Sequence, residues 1–330
     1  MITWIARVLA PTHPHRRLYY IFFFVLFLSP LIVTAAYGYG QVKTELTERA
    51  LSRREAIAFP TALALEEKLE SLIHLGESFA DHPRVREAIL AGNWDKAIDL
   101  LSIFKTLTEE PFLDRIFLAD AQGTETADFP ELTGAVGKNF AFRDWYKGIT
   151  ATGKPYVSEI YRRTAEPQIN VVAVAIPITD SESLLKGILV LQLRPDRFLD
   201  WLKDIDVGQG GLVYVVDQHG NLVAHPKLDP QGEIENFSKV PIIEQVLRGE
   251  SGTQIQYNPI EKEERLAAYE PVRKYGWGVI VTQSTETAFA ARNSTLRTIS
   301  LVYVVALILN IFFIYLILYT ILHFQKQRQL

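Results

Sequence analysis

The 330-residue chain has no cysteine and one methionine. Disulfides, thiolate metal ligands and thiol redox chemistry are therefore excluded. It also lacks an excess of positive charge: 34 Lys and Arg stand against 38 Asp and Glu, for a net charge of −4. That balance leaves no electrostatic footprint for nucleic acid. No low-complexity segment, phosphate loop, HExxH pair or Ser-His-Asp order is present. Asp120 and Asp217 could be posed as a carboxylate pair, but both stand where hairpin turns are expected, and there Asp caps backbone N–H groups. His225, next to Pro226, has no second His or carboxylate at ligand spacing, so it reads as a turn residue. No metal, no cofactor and no catalytic residues are expected.

What the chain does have is apolar length. Leu18 to Tyr37 and Ile299 to Phe324 each match the roughly 20 apolar residues that a membrane-crossing helix needs. Arg7, Arg16 and Arg17 precede the first run without an acid, and Lys326 and Arg328 follow the second. The inner flanks are mixed: Lys43, Glu45, Glu48 and Arg49 on one side, Arg292 and Arg297 on the other. An excess of Lys and Arg marks the cytoplasmic side, so both ends are placed there and the intervening region outside. A cleaved signal peptide ending near Val33-Thr34-Ala35-Ala36 is the rival reading. The first run is long for that, since a signal core is usually about 7–15 residues.

From about Gln41 to Ser78 the pattern is helical. Leu46, Ala50 and Leu51 fall on one face, and Leu63, Leu65, Leu69, Leu72 and Leu75 continue the stripe. Such a stalk could pack on its own domain or on a second copy. Pro60 should kink or split it. Asn93 reads as the N-cap of a helix to about Leu107.

Strands begin near Phe112, and two halves then run in parallel. Ile116-Phe117-Leu118-Ala119-Asp120-x-x-Gly123 matches Val213-Tyr214-Val215-Val216-Asp217-x-x-Gly220. Later, Val172 to Pro177 leading into Gly187 to Gln192 matches Ala267 to Val272 leading into Gly276 to Val281. These landmarks, in the same order, read as a tandem repeat of one antiparallel-sheet module. A short amphipathic helix, Pro195 to Leu202, separates the halves. The second half ends near Gln283, and a helix can run from about Thr287 into the second span.

Several of these residues carry a family likeness. Gly208-x-Gly210-Gly211-x-x-Tyr214, Ala224-His225-Pro226, Glu270-Pro271-Val272 and Trp277-Gly278-Val279 resemble the membrane-proximal half of double Cache domains. Phe142 to Gly148 followed by Gly153-Lys154-Pro155-Tyr156-Val157-Ser158 resembles the membrane-distal half. The likeness covers residues 40–297. It implies an α+β fold: a long N-terminal stalk helix with two tandem PAS-like antiparallel-sheet modules, flanked by two transmembrane helices. The expected divisions are a cytoplasmic N-terminus (1–17), a first span (18–39), an extracytoplasmic sensor (40–297), a second span (298–324) and a cytoplasmic tail (325–330) without an effector. Within the sensor, residues 40–110 form the stalk and helices, 111–205 the distal module and 206–286 the proximal one.

The resemblance implies a receptor of bacterial or archaeal type that binds a small ligand in the distal module and works as a homodimer. Its output would pass along the second span to a histidine kinase, diguanylate cyclase or chemotaxis-type effector. Arg143, Trp145 and Tyr146 match a pattern shared by double Cache domains that bind amino acids. Taken alone, Arg143 could equally pair with Asp144 or Glu159, and Trp145 could be core. The pattern also asks for a Tyr where Lys138 stands and an Asp where Gln192 stands. The anion-holding end is thus kept and the ammonium-holding end lost, so a carboxylate or related organic acid is the expected ligand. Tyr156 and Tyr161 are further wall candidates. The alternative function is a membrane-anchored solute binder or scaffold without signalling output; an extracytoplasmic hydrolase has no visible nucleophile or metal set.

Overall fold

The computed structural model describes residues 16–108, 112–259 and 261–327. Arg7 and Arg328, used above for orientation, lie outside the described residues, as do the side chains of Arg16, Arg17 and Lys326. The chain divides into two compact units, Met1–Ala50 with Glu286–Leu330, and Leu51–Thr285. Helix α1 (Arg16–Ala80) contributes residues to both.

Among the described residues, two helices are long and apolar enough to cross a membrane by length and composition. The relevant stretches are Phe24–Ala80, with mean hydropathy 1.4, and Ala290–Thr320, with 2.8. Their apolar side chains point outward along much of their length, from Phe22 to Tyr37 and from Leu301 to Tyr319. Arg292, an inner-flank cation, donates to Thr47 Oγ1 at 3.0 Å and lies over the Phe289 ring at 3.9 Å. The second apolar helix (Ala290–Gln327) is separated from a short helix (Thr285–Ala288) by Phe289 alone, whose side chain is buried.

The second unit begins with the rest of α1. Pro60 does not split this helix. It sits on an exposed face, where water can serve the carbonyl that loses its helical donor. The leucine stripe divides: Leu65, Leu69 and Leu72 are buried with Ala58 and Ala62, while Leu63 is 49% exposed. The stripe therefore packs on its own domain. Gly76 marks the closest approach, because an added Cβ would fall 2.7 Å from Ile176 Cγ1. Two further helices follow, α2 (Pro83–Leu90) and α3 (Trp94–Thr108), and Asn93 Oδ1 caps α3 by accepting from Lys96 N–H.

Two antiparallel sheets complete the unit. The distal sheet has the order β2-β1-β6-β5-β3, with β4 on β5: β1 Leu113–Asp120, β2 Glu125–Phe129, β3 Tyr156–Val157, β4 Tyr161–Arg162, β5 Asn170–Thr179 and β6 Leu185–Leu193. The proximal sheet has the order β8-β7-β11-β10-β9: β7 Gly211–Val216, β8 Leu222–Ala224, β9 Gly252–Asn258, β10 Glu263–Val272 and β11 Trp277–Ser284. One shared core joins α1, α2 and α3 to one face of each sheet, and each opposite face carries a smaller cluster under its own helix. Between the sheets the expected amphipathic helix is a turn of α-helix (Pro195–Phe198) followed by a 3-10 turn (Asp200–Asp204).

The repeat extends to individual hydrogen bonds. Asp120 Oδ1 accepts from Gln122 and Thr124 N–H; Asp217 Oδ1 accepts from His219 and Asn221 N–H. Asn139 Nδ2 reaches the Gln122 carbonyl as Asn236 Nδ2 reaches that of His219. Both aspartates are thus turn-forming. Each module also slips register in its first hairpin: Leu118 pairs with Ala127 but Ala119 with Glu125, and Val215 pairs with Ala224 but Val216 with Leu222. One residue, Thr126 or Val223, is left over in each, a β-bulge.

Leu69→Ala should destabilise the chain by about 2–5 kcal/mol, because it opens a cavity at a fully buried position. Leu63→Ala should cost under about 0.5 kcal/mol. Chemical denaturation of the full chain in detergent measures both.

Candidate functional site

The distal module's outer face holds a small cavity under helix α4 (Asp144–Thr152). Arg143 is the N-cap residue of this helix, in extended conformation, and Gly153 ends it in the left-handed region at φ 66°. From the first turn Trp145 turns inward, 1% exposed, with its ring edge-on to Phe117 at 5.8 Å. The Arg143 guanidinium lies over the Tyr161 ring at 4.2 Å and donates to the Arg162 carbonyl at 3.1 Å. It makes no ion pair with a carboxylate among the described residues. Stacking on an aromatic face leaves the other donors of the guanidinium fork available to a planar anion.

Four of the residues singled out from sequence line this cavity: Arg143, Trp145, Tyr161 and Gln192. Gln192 Nε2 donates to Tyr161 Oη at 3.0 Å, while its Oε1 is buried without a partner among the described residues. Burial pushes the Tyr161 hydroxyl up to about 12, so it stays protonated. The other three stand elsewhere. Tyr146 packs its ring over the Gly123 turn, and its hydroxyl donates to the Ala121 carbonyl at 3.0 Å, pinning α4 to the β1–β2 hairpin. Tyr156 lies against Gly148 of α4 and lines a separate groove with Glu70, His74 and Tyr275. Lys138 is exposed and does not line the cavity; its carbonyl accepts from Glu125 N–H.

Sequence reasoning missed the floor of the cavity. Arg115, on β1, is 2% exposed and makes ion pairs with both Glu125 and Asp128 of β2. In a regular strand, positions 125 and 128 face opposite sides. The bulge at Thr126 flips that parity and turns both carboxylates onto Arg115. A charged residue within the strand, directly before the apolar run Ile116 to Ala119, was the available signal. Arg163, also lining the cavity, is neutralised by Asp114 at 2.7 Å and holds the Pro167 carbonyl.

Glu125 corrects one expectation. An acid does line the cavity, supplied by β2 rather than by the position of Gln192. Burial raises its pKa to about 7, with Asp128 adding to the rise and Arg115 opposing it. Among the described residues, Arg115 Nε and Glu125 Oε2 have no hydrogen-bond partner. The cavity volume is about 20 Å³, room for about one water. Ligand binding therefore needs the cavity wall to move.

That wall also touches the proximal module. Tyr161 and Arg163 face the cavity, while their neighbours face the other way. Ile160 N–H donates to Asp217 Oδ2 at 3.0 Å, and Arg162 donates to the Gln231 carbonyl. Asn170, which pairs with Arg162 across β4–β5, donates through its side chain to the carbonyls of Pro230 and Gly232. Asp144, next to Arg143, accepts from Glu159 N–H at 2.6 Å.

The fold is that of solved extracytoplasmic sensing domains. The sensory domain of the Campylobacter jejuni chemoreceptor Tlp1, described as periplasmic, aligns with a TM-score of 0.58 at 16% identity, over 74% of this chain and 98% of that one. The ligand-binding domain of the Pseudomonas fluorescens chemoreceptor CtaA, solved with L-isoleucine, aligns with a TM-score of 0.58 at 17% identity, over 76% and 98%. The sequence profile of the Cache domain matches residues 42–292, and the chain belongs to that family. In sequence it is similar to the methyl-accepting chemotaxis protein McpA of Bacillus subtilis, 22% identical over 303 residues. The alignment takes in 91% of this chain and 43% of McpA, so the chain spans less than half the length of that relative.

Arg115→Ala should destabilise the chain by about 3–5 kcal/mol, because two carboxylates stay buried without their cation. The deficit should be smaller at pH 5 than at pH 8, since protonation removes the stranded charge. Denaturant unfolding at the two pH values measures it.

Proposed function

We propose that this chain is the sensing portion of a two-span membrane receptor, with its Cache domain outside the cytoplasmic membrane. The distal cavity takes a small molecule by its carboxylate. The observation that carries this reading is Arg143: a guanidinium stacked on Tyr161 at 4.2 Å, without a carboxylate partner, at the mouth of a cavity that Trp145 and Phe117 close. Two parallel N–H donors in a fixed fork suit a carboxylate. Aromatic walls with a few placed polar groups are what a small-ligand site needs.

Signalling would start at β4. A ligand that draws Arg143 from Tyr161 moves the strand whose other side holds Asp217 and Gln231. The proximal module would pass that shift to the second apolar helix. Coupling of this kind delivers no more free energy than the ligand's preference between the two states. The relatives being methyl-accepting chemotaxis proteins favours a chemotaxis-type effector. Homodimerisation and cytoplasmic ends on both sides belong to the same proposal.

A second reading is an L-amino acid. The free Glu125 Oε2 favours it, as do solved neighbours holding L-isoleucine and L-glutamine. Thermal-shift screening of the full chain against organic acids and amino acids separates the two, because a bound ligand raises apparent stability by mass action.

Arg143→Ala should weaken ligand binding by about 10- to 100-fold, the worth of a charge-assisted hydrogen bond in a desolvated site. Unfolding without ligand should change by no more than about 1 kcal/mol, the scale of the lost stacking. Normal binding by this variant would move the site away from α4.

A further inference from the structure

The distal cavity holds an excess of buried acid before any ligand arrives. Arg163 is cancelled by Asp114. Arg115 stands between Glu125 and Asp128, so this buried group carries one carboxylate more than it has cations. Lys138 is the further cation that bears on Glu125, and Arg143 lines the same cavity from the head of α4. An incoming carboxylate held by Arg143 brings negative charge into the cavity that Glu125 lines, and so raises the cost of the excess acid's own charge. The side chains of Glu125 and Asp128 are 0% and 1% exposed, so water cannot screen that charge. An unpaired buried charge is costly enough that the group takes a proton instead.

Of the two acids, Glu125 is the one placed to do so. It lines the cavity, and its Oε2 has no hydrogen-bond partner among the described residues. Asp128 is more fully engaged: Oδ2 accepts from Arg115 and from Leu132 N–H at 2.9 Å. The charged and titratable groups that bear on Glu125 are few. They are Arg115 of β1, Asp128 of its own strand and Lys138 of the following loop among the described residues, while Arg143, Tyr161 and Arg163 share the cavity that Glu125 lines. Of these, Glu125 is the one that burial raises to about 7.

Resting on the carboxylate reading above, we infer that binding of a carboxylate in the distal cavity is coupled to uptake of one solvent proton by the Glu125 carboxylate. Glu125 then sets the pH range in which the cavity accepts an anion. Protonated Glu125 also offers an O–H donor where it had only an acceptor, which a ligand oxygen can use. By linkage, carboxylate affinity is greatest where Glu125 is already protonated and falls as pH rises above its free-state pKa. Burial puts that pKa at about 7. The limit is about tenfold in Kd per pH unit for one proton.

Isothermal titration calorimetry of the full chain in nanodiscs tests this, using acetate, lactate and succinate as probes. Each is titrated at pH 6.5, 7.5 and 8.5 in two buffers of different ionisation enthalpy. The expected result is a Kd that rises towards tenfold between pH 7.5 and 8.5, with a buffer-dependent heat that reports up to one proton taken up per carboxylate. In Glu125→Gln the slope and the buffer dependence should both vanish, whatever the variant's affinity. A carboxylate that binds with a flat Kd and no buffer-dependent heat overturns the inference and leaves the ligand class standing. An L-amino acid that binds without proton uptake, where no carboxylate binds, overturns the ligand class and the inference together. The wild-type heats decide the matter even if the variant fails to fold.

Discussion

Arg115 holds a full charge under the distal sheet with its side chain 2% exposed, and the cavity is arranged around that fact. Two carboxylates answer it, and a bulge is needed to bring both of them within reach. A buried ion cluster of this kind is a poor way to gain stability, since apolar residues of the same volume often do as well. Its presence on a sheet face otherwise lined by Phe117, Ala119 and Val190 is therefore more readily understood as recognition chemistry than as packing. Arg143, Tyr161 and Gln192 complete the lining from three other elements.

The proximal module gives an internal comparison. Its hairpin repeats the bulge, the turn aspartate and the asparagine latch of the distal one. At the positions matching Arg115, Glu125 and Arg143, however, stand Leu212, Leu222 and Val240, and Ile242 replaces Trp145. The corresponding face closes as an apolar cluster of Leu212, Tyr214, Ile242 and Ile243. One backbone plan thus serves two ends: a polar cavity in one module, and a filled core in the other that can pass on movement. Asp217 shows the division clearly. One carboxylate oxygen builds the proximal turn, and the other accepts from Ile160 beside the distal cavity wall.

Much of the fold was legible because it rests on local signals. Apolar length marked the two outer helices, the leucine spacing marked the stalk, and Asp-x-x-Gly turns marked the repeat. The site was only half legible. Arg143 and Trp145 could be read because their spacing at a helix start carries a family likeness. Arg115, Glu125 and Asp128 could not, since their meeting depends on one extra residue in β2, which reverses strand parity. Tyr146 was drawn to the site by the same family pattern, and Tyr156 as a further aromatic wall candidate. Their rings instead fill the space over Gly123 and beside Gly148, where no side chain competes. Pro60 failed to divide α1 because its exposed position removes the cost of the missing hydrogen bond.

Movement is the remaining requirement, because a cavity of about 20 Å³ is too small for the ligand it is proposed to hold. The strand that must yield is β4, and its far side is already fastened to the proximal module. On the function proposed, ligand binding and signal transfer are one displacement seen from two faces of one strand. A structure of the full chain with a bound carboxylate tests this most directly. The expected result is the carboxylate on the Arg143 guanidinium, which has left the Tyr161 ring, with the Ile160–Asp217 and Arg162–Gln231 contacts altered. A carboxylate bound elsewhere, with Arg143 still stacked on Tyr161 and both contacts unchanged, contradicts it.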